Sequence, residues 1–307
     1  MSYEKIHFII NPASGGGSTG KTWAQMRSYI ESKLGTFSFE FTANKGHGID
    51  LAKRAAEKSV EKIVAIGGDG SISEIVSGIL LSGNTNAVIG VLNLGTGGDF
   101  CRTLGIPGDI KLGLEKIRSG SVISSDIGKV SFTDNSGSLA MRSFINIAGC
   151  GMSGEVVRTI NQSKKIFGGF SYYVSSLKNL FSYRNKRVRI LADEMPEKMF
   201  TSVTVAVCNG QYFGGGMRVA PNAQISDGMF DVVIMEDWNL WEKLKYSPRL
   251  YNSTILSCPK ITHFRAKKIV ILPQEGENEV YIDCDGEDVG TIPMTLEILP
   301  SAVRFTV

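Results

Sequence analysis

Histidine and cysteine are scarce in this chain, and their placement removes whole classes of chemistry. The three histidines, His7, His47 and His263, lie far apart, with no spacing that suits metal ligands or a catalytic base beside a nucleophile, and His47 reads as loop structure. The five cysteines, Cys101, Cys150, Cys208, Cys258 and Cys284, include no CxxC pair, so neither a zinc site nor a disulfide framework is suggested. A reduced, cytoplasmic setting is expected. A long apolar run is also missing: MSYEKIHFIINP holds only about five apolar residues in a row, too few for a secretory core or a membrane span. The formal net charge of +3 is too small to argue for nucleic acid. There is no internal repeat and no low-complexity tract.

What is present is 307 residues, 42% hydrophobic and 21% charged, enough for one large domain or two ordinary ones. KIHFII reads as a buried strand, and GGGSTGKTWAQMRSYIESKL as a glycine loop opening a helix with Trp23, Met26, Ile30 and Leu34 on one face. SFEFTAN, KIVAIGG and AVIGVLNLG read as further strands, separated by helices in GIDLAKRAAEKS and SEIVSGILL, with KLGLEKIRSG as another. Strands alternating with helices predict a parallel sheet covered on both faces. After about Asp126 the texture changes to successive strand-like runs (IGKVSFTD, MRSFINIAG, RVRILAD, FTSVTVAVCNG, FDVVIM, KKIVILP, EVYIDCDG and MTLEIL), which predicts an antiparallel, β-rich second domain. Helices are expected over Gly154 to Phe181 and Leu240 to Leu256.

Three glycine-rich turns, NPASGGG, GGDGS and LGTGGDF, follow predicted strands of the first half. In an open α/β sheet, ligands bind beyond the carboxyl ends of the strands, so these turns could share a polyphosphate site. Two other readings compete. Gly15 to Thr22 satisfies the P-loop pattern GxxxxGK[ST], but NPAS separates it from the end of the strand. GDGSIS, Gly68 to Ser73, is one substitution from the dinucleotide fingerprint, which wants an acid about 20 residues later, where the chain has VLNLG. A single Gly-Asp-Gly turn reads equally as a tight turn whose Asp69 caps the following helix. Asp99 in a second glycine turn weakens that reading, because two acids at adjacent strand ends suit a metal-bound nucleotide and a hydroxyl acceptor.

Taken together the motifs resemble the diacylglycerol kinase catalytic-domain family, especially its small bacterial lipid kinases. NPASGGG is similar to its first nucleotide loop, FTANKGHGIDLA to its TxxxGH segment, GGDGSISEIVSGI to its GGDGTxNE signature and LGTGGDFCRTLG to its GTGNDFAR-type loop. VCNGQYFGGGMRVAPNAQISDGMFDVVI and DCDGEDVGTIPMTLEILPSAVRFTV resemble its two C-terminal signatures. The resemblance implies an α/β N-terminal domain with a parallel sheet like those of NAD kinases and phosphofructokinases, a β-rich C-terminal domain, and an active site in the cleft between them. The last strand returns to the first domain, which gives residues 1–127 with 295–307 as the nucleotide domain and 128–294 as the lipid substrate domain.

By the same resemblance Asn11, Pro12, Ala13, Ser14, Gly15, Thr42, Gly67, Gly68, Asp69, Gly70, Ser71, Ile72, Ser73 and Thr96 contact ATP, with Asp69 and Asp99 near the phosphates and the transferred group. Asp126, in SDIGKV, matches another acidic position. A structural magnesium is implied, bound by the Asp227 carboxylate and by backbone carbonyls at Gln224 and Met229, and a second magnesium accompanies ATP. Without the resemblance, Asp227 is an ordinary Asp-Gly turn. Glu287 matches the catalytic base, against a solvated turn glutamate on its own; of the acids Asp283, Asp285 and Asp288 beside it, Asp285 is singled out. Three departures stand out: Ser71 for threonine, and Ser73 and Gly98 where asparagine is common, the last removing a side-chain donor and loosening its loop.

Between Arg158 and Arg189 the chain carries eight Lys/Arg and no acid, interleaved with Phe167, Phe170, Tyr172, Tyr173, Phe181 and Tyr183. Such a segment either packs its aromatics on the second domain or lies on an anionic bilayer, and a soluble lipid kinase must approach the membrane. The expectation is therefore an ATP- and magnesium-dependent kinase of a membrane lipid, diacylglycerol first, with a sphingoid base, ceramide or monoacylglycerol as alternatives. It would be cytoplasmic and transiently peripheral to the inner membrane surface. A non-catalytic nucleotide-binding regulator is the competing class. The oligomeric state stays open, a homodimer included.

Overall fold

The computed structural model describes residues 5–134, 136–162, 183–277 and 279–307. The chain forms two compact units, Met1–Ile127 with Pro300–Val307, and Gly128–Leu299. Residues 295–299, assigned to the nucleotide domain from sequence, group with the second unit.

In the first unit, β1 (Ile6–Ile10), β2 (Ser38–Phe41), β3 (Lys62–Gly67) and β4 (Val88–Asn93) form a parallel sheet in the order β2-β1-β3-β4. Its helices are α1 (Ser18–Leu34), α2 (His47–Glu57), α3 (Asp69–Ser82), α4 (Asp99–Leu104) and α5 (Ile110–Ser119). The central strands are apolar throughout because both faces are covered. Phe8, Ile10, Val64 and Ile66 pack with Trp23, Met26 and Ile30 of α1 and with Leu114 and Ile117 of α5. The alternate residues Ile9, Ile63 and Ala65 are equally buried on the face where α2 and α3 lie. The short helix α4 has no period long enough to show in the sequence, which there reads only as a glycine turn.

The second unit contains most of β5 (Val122–Asp134), β6 (Leu139–Phe144), β7 (Ile147–Gly151), α6 (Met152–Gln162), β8 (Lys186–Ala192), β9 (Lys198–Cys208), β10 (Tyr212–Phe213), β11 (Met217–Arg218), β12 (Phe230–Glu236), α7 (Leu240–Tyr246), β13 (Ile261–Ala266), β14 (Lys268–Pro273), β15 (Tyr281–Cys284) and most of β16 (Glu287–Thr306). Strands β7, β9, β8, β14, β16 and β15 pair in sequence, each antiparallel to the next, and β15 closes back on β7. Closure leaves none of these six with an open edge. Inward residues such as Val188, Ile190, Val205, Ile271, Ile282 and Leu296 fill the interior.

Three sequence expectations need correcting. MRSFINIAG is two strands, because the N–H groups of Ile145, Asn146 and Ile147 turn to the Asp285 carboxylate instead of continuing one ladder. The stretch 240–256 is not one helix: α7 stops at Tyr246, Pro248 lies in a 3-10 turn over Ser247–Leu250, and a second 3-10 turn covers Ile255–Ser257. Strand β13 was hidden in ITHFRA, where polar and charged residues interrupt the apolar pattern. The helix from 154 is described only as Met152–Gln162; the remainder of that expectation, with Lys164, Lys165, Phe167, Phe170, Tyr172, Tyr173, Lys178 and Phe181, lies outside the described residues.

Candidate active site

The three glycine turns leave the carboxyl ends of β1, β3 and β4 and meet one another. Beyond the strands, Asn11 N donates to the Ile66 carbonyl (2.9 Å) and Leu94 N to the Gly67 carbonyl (2.9 Å), so each turn starts as an extension of the sheet. Asn11 Nδ2 reaches Ser71 Oγ at 3.4 Å, joining the first turn to the second. A side chain on Gly68 would stand 3.1 Å from the Gly95 Cα, joining the second to the third; only residues without a Cβ let these two backbones come so close. Gly15 of the first turn lies against the Leu94 carbonyl of the third. Asn11, Pro12, Ala13, Ser14, Gly15, Gly67, Gly68, Asp69, Gly70, Ser71, Ile72 and Ser73 therefore belong to one assembly, with Thr96 exposed on the third turn.

Asp69 sits at the centre of this assembly, as a cap, but for a different helix from the one that follows it. Its Oδ2 accepts the Asp99 N–H at 2.8 Å and its Oδ1 the Phe100 N–H at 3.2 Å, the first two residues of α4. Its own helix α3 starts at Gly68 with no side-chain cap. Burial pushes the Asp69 carboxyl up from its ordinary range, and the Asp99 charge adds to this, while the two N–H bonds oppose it. Asp99 pairs with Arg102 at 2.6 Å, and the same guanidinium donates to the Gly97 carbonyl at 2.8 Å. Each carboxylate oxygen of Asp69 retains a lone pair beyond the one its N–H partner uses.

Thr42 follows β2, its N–H donating to the Ile10 carbonyl at 2.8 Å. The turn after it is held by Glu74 of α3, whose two oxygens accept the N–H groups of Gly46 (2.8 Å) and Gly48 (2.9 Å). His47 Nδ1 accepts the Ala43 N–H at 3.0 Å, a loop contact. Asp126 is buried and accepts the Ser301 N–H at 2.7 Å. Lys21, the lysine of the P-loop pattern, is an exposed residue of α1.

In the second unit Glu287 opens β16, and its carboxylate pairs with Arg142 of β6 at 2.6 Å. Behind it Asp285 is fully committed: Oδ2 accepts from Ile145 N (2.8 Å), and Oδ1 from Asn146 N (3.0 Å) and Ile147 N (3.1 Å). Burial pushes Asp285 up to about 6 despite these bonds. Asp283, which accepts the Gly286 N–H at 2.8 Å, is pushed up to about 7, again mainly by burial. Burial disfavours the Arg142 charge, but the bond to Glu287 and the surrounding acids outweigh it and raise the guanidinium's pKa.

Residues 5–130 match the diacylglycerol kinase catalytic domain, and residues 146–307 match the YegS C-terminal NAD kinase beta sandwich-like domain. The chain is 30% identical over 294 residues to a diacylglycerol kinase of Bacillus subtilis (strain 168), covering 94% of this chain and 92% of the relative. It belongs to the diacylglycerol kinase family. A further relative, a diacylglycerol kinase of Staphylococcus saprophyticus, is 27% identical over 293 residues, covering 94% and 91% of the two chains. The fold is that of a diacylglycerol kinase crystal structure from Bacillus anthracis str. Sterne, with a TM-score of 0.73, 22% identity and coverage of 100% and 97%. A more distant likeness is yeast NADH kinase complexed with NADH, with a TM-score of 0.53, 11% identity and coverage of 99% and 83%. As a member of this kinase family the chain is an enzyme, with an α/β N-terminal domain and a β-rich C-terminal one. No helix among the described residues is long and apolar enough to cross a membrane.

Against the family pattern, the departure at Gly98 has a partner in the structure. Gly98 takes a left-handed conformation (φ 69°), and a Cβ there would collide with the side-chain amide of Asn93. Asn93 Oδ1 in turn accepts the Gly95 N–H at 3.3 Å. The turn is held nonetheless: Asp69 fastens Asp99 and Phe100.

The magnesium that the resemblance implies at Asp227 was tested on its donors. Asp227 Oδ1 accepts the Met229 N–H at 3.1 Å, and Oδ2 is bonded to the Arg265 guanidinium. Arg265 also lies 3.7 Å from Asp231, which pairs with His263 at 2.6 Å. With a guanidinium on the carboxylate, this arrangement already supplies the positive charge a cation would bring. As arranged, with Arg265 on its carboxylate, Asp227 does not fit a divalent ion, and no chemical step below uses one there. Among the described residues no group of three or more His, Cys, Asp or Glu side chains is placed to share a metal.

Sequence reasoning did not find Arg142, Arg102, Glu74 or Asn93. Each acts across a sequence gap or through backbone atoms. Glu74, the last position of the GGDGSISE run, and Arg102, the arginine of GTGGDFCR, lay in motifs that could have flagged them, and Asn93 directly precedes the third glycine turn; Arg142 had no such signal.

Proposed function

We propose that this family member transfers the γ-phosphate of ATP to the hydroxyl of a membrane lipid, with diacylglycerol giving phosphatidic acid as the first choice. The observation that carries the reading is the convergence of three glycine turns around Asp69 and Asp99. Close-approaching backbones and the uncapped starts of α1 and α3 supply N–H donors to phosphate oxygens, which suits a polyphosphate rather than a single carboxylate. Names of the relatives support the lipid acceptor.

In the proposed reaction the lipid hydroxyl oxygen forms a bond to the γ-phosphorus as the bond to the bridging β,γ-oxygen breaks, and ADP leaves. Glu287 accepts the hydroxyl proton. Asp69 and Asp99 would stand by the transferred group, with Asp69 fixing the turn that carries Asp99. Magnesium bound with ATP supplies charge neutralisation of the phosphates. Asp285 and Arg142 hold the chain and the carboxylate that present Glu287.

The test is transfer from radiolabelled ATP into vesicles containing, separately, diacylglycerol, a sphingoid base, ceramide and monoacylglycerol, with Glu287→Ala and Asp69→Ala as controls. Label in diacylglycerol that disappears in both variants is the expected result. Label in another lipid alone reassigns the acceptor. Label in none, or undiminished in both variants, removes the mechanism.

A further inference from the structure

Among the described residues twelve large apolar side chains are exposed, and four of them fall in one short stretch: Leu240, Trp241, Leu244 and Tyr251. Leu240, Trp241 and Leu244 occupy positions i, i+1 and i+4 of α7, which places them along one flank of the helix. Trp241 is 79% exposed, whereas the other two tryptophans, Trp23 and Trp238, are 6% and 2% exposed.

This outward flank is fixed by good packing on the other side. Asn239 and Glu242 form a reciprocal capping box that starts α7. Lys243 turns inward, its Nζ donating to the Tyr183 carbonyl at 3.2 Å. Tyr246 packs on Trp238 at 5.3 Å between ring centroids, and Leu250 and Ile255 are buried in the core beyond.

The exposed charge beside the flank is mainly basic. From Lys243 to Gln274 the sequence holds seven Lys/Arg residues and no acid; of these, Lys260 pairs with Glu242, Arg265 with Asp227 and Lys268 with Glu297, Lys243 turns inward, and Asp237 lines the hollow beside Leu240. The helix's own acid, Glu242, is used by the Asn239 N–H and by Lys260 at 2.9 Å. Lys245 is exposed and Arg249 partly so, beside the apolar flank, and exposed Arg184 borders the same hollow as Leu240.

We propose that α7 and the turns after it dock on an anionic phospholipid bilayer, with Trp241 and Leu244 entering the headgroup region and Lys245 and Arg249 against lipid phosphates. Tryptophan prefers that depth because its ring is apolar and its N–H can stay wet. The helix has seven residues, too short to offer the four-anchor stripe by which helices fill protein grooves. A flat bilayer needs no such length, and the exposed Lys245 and Arg184 and the partly exposed Arg249 favour an anionic one. The contact is small, so the association is weak and reversible. A membrane lipid as substrate rests on the proposed function; the docking itself does not.

The experiment uses the full chain with vesicles of phosphatidylcholine alone or mixed with phosphatidylglycerol. Because the other tryptophans are buried, Trp241 is the reporter. On the mixed vesicles its emission moves to shorter wavelength and is quenched by brominated lipid, with little change on phosphatidylcholine. In co-sedimentation Trp241→Ala with Leu244→Ala weakens binding by about tenfold, and Lys245→Glu with Arg249→Glu weakens it on anionic vesicles only. Circular dichroism confirms that each variant folds, and Trp241→Phe gives a second, milder replacement. Transfer into a lipid acceptor dispersed in detergent stays at the wild-type level in these variants, while transfer into vesicles falls. Wild-type binding by the Trp241/Leu244 variant, with lipid transfer intact, overturns the docking and leaves the kinase reading standing. No transfer to any lipid, with Trp241-dependent vesicle binding, does the reverse. Self-association that Trp241→Ala abolishes, with no vesicle effect, assigns the flank to a second copy and overturns the proposal.

Discussion

The Asp69 carboxylate accepts the backbone N–H of Asp99 at 2.8 Å, so an acid of one glycine turn fixes the acid of the next. The relationship explains why an aspartate can stand in a turn shaped for phosphate. Much of its charge is directed at the N–H groups that open α4, and Asp99 is steadied in turn by Arg102.

Asp69→Asn keeps the shape of the side chain but puts an amide N–H₂ against one of the two N–H donors. ATP-dependent transfer should fall by about a hundredfold, the scale for losing one charged group at a phosphoryl-transfer site. A steady-state assay decides this: activity within threefold of wild type would reduce Asp69 to a loop fastener.

Arg142 and Glu287 give a second prediction. Arg142→Gln frees the carboxylate from its 2.6 Å partner, and kcat should drop by about tenfold or more with KM for ATP unchanged. Arg142→Lys should restore part of the loss. Equal losses in kcat and Tm for both variants would mean that the pair serves folding alone.

At position 98, installing the family's common asparagine should destabilise the protein by about 1 kcal/mol, because the new Cβ meets the Asn93 amide and that side chain must swing aside. Asn93→Gly in the same chain should recover most of that cost. Chemical denaturation of the two single variants and the double measures the coupling, and additive effects would contradict the steric account.

The buried acids predict a pH dependence with a definite sign. Asp285, pushed up from 3.8 to about 6, binds its proton more tightly folded than unfolded, so its contribution to stability is full below about pH 4 and lost as pH rises through 6. The stability difference between wild type and Asp285→Asn should therefore shrink by about 2 kcal/mol between pH 4 and pH 7. Urea unfolding across that range checks it; a difference independent of pH would refute the assignment to Asp285.

If Arg265 already neutralises Asp227, magnesium or a chelator should leave the wild-type Tm unchanged in the absence of nucleotide. In Arg265→Gln the carboxylate is released, and magnesium at millimolar levels should raise Tm by a few degrees. A chelator-sensitive wild-type Tm would restore the metal to that turn.

Much of the architecture was legible because its signals are local. The apolar strands and glycine turns of the first unit, and the shift to strand after strand near Asp126, show in residues next to each other. What stayed hidden depends on long separations: Arg142 meets Glu287 across 145 positions of chain (287 − 142), and Asp285 breaks the run MRSFINIAG from nearly as far. Asp69 was read as a residue for ligand or for its own helix. As a cap it serves α4 and not α3, and no periodicity could say so, since α4 is six residues long.

The chain leaves the first unit after Ile127 and comes back at Pro300, yet Asp126 and Ser301 stand a single 2.7 Å hydrogen bond apart. The β-rich unit is thus inserted in the chain through two strands, β5 and β16, that each run across the boundary. The host needs its tail: Arg304 and Phe305 pair with Val88 and Ile89, and the Phe305 ring meets Phe100 at 5.4 Å. Cutting the gene after Ile127 would discard that strand, whereas a short linker from Ile127 to Pro300 would keep it, so the first unit is to be isolated by excision and not by truncation.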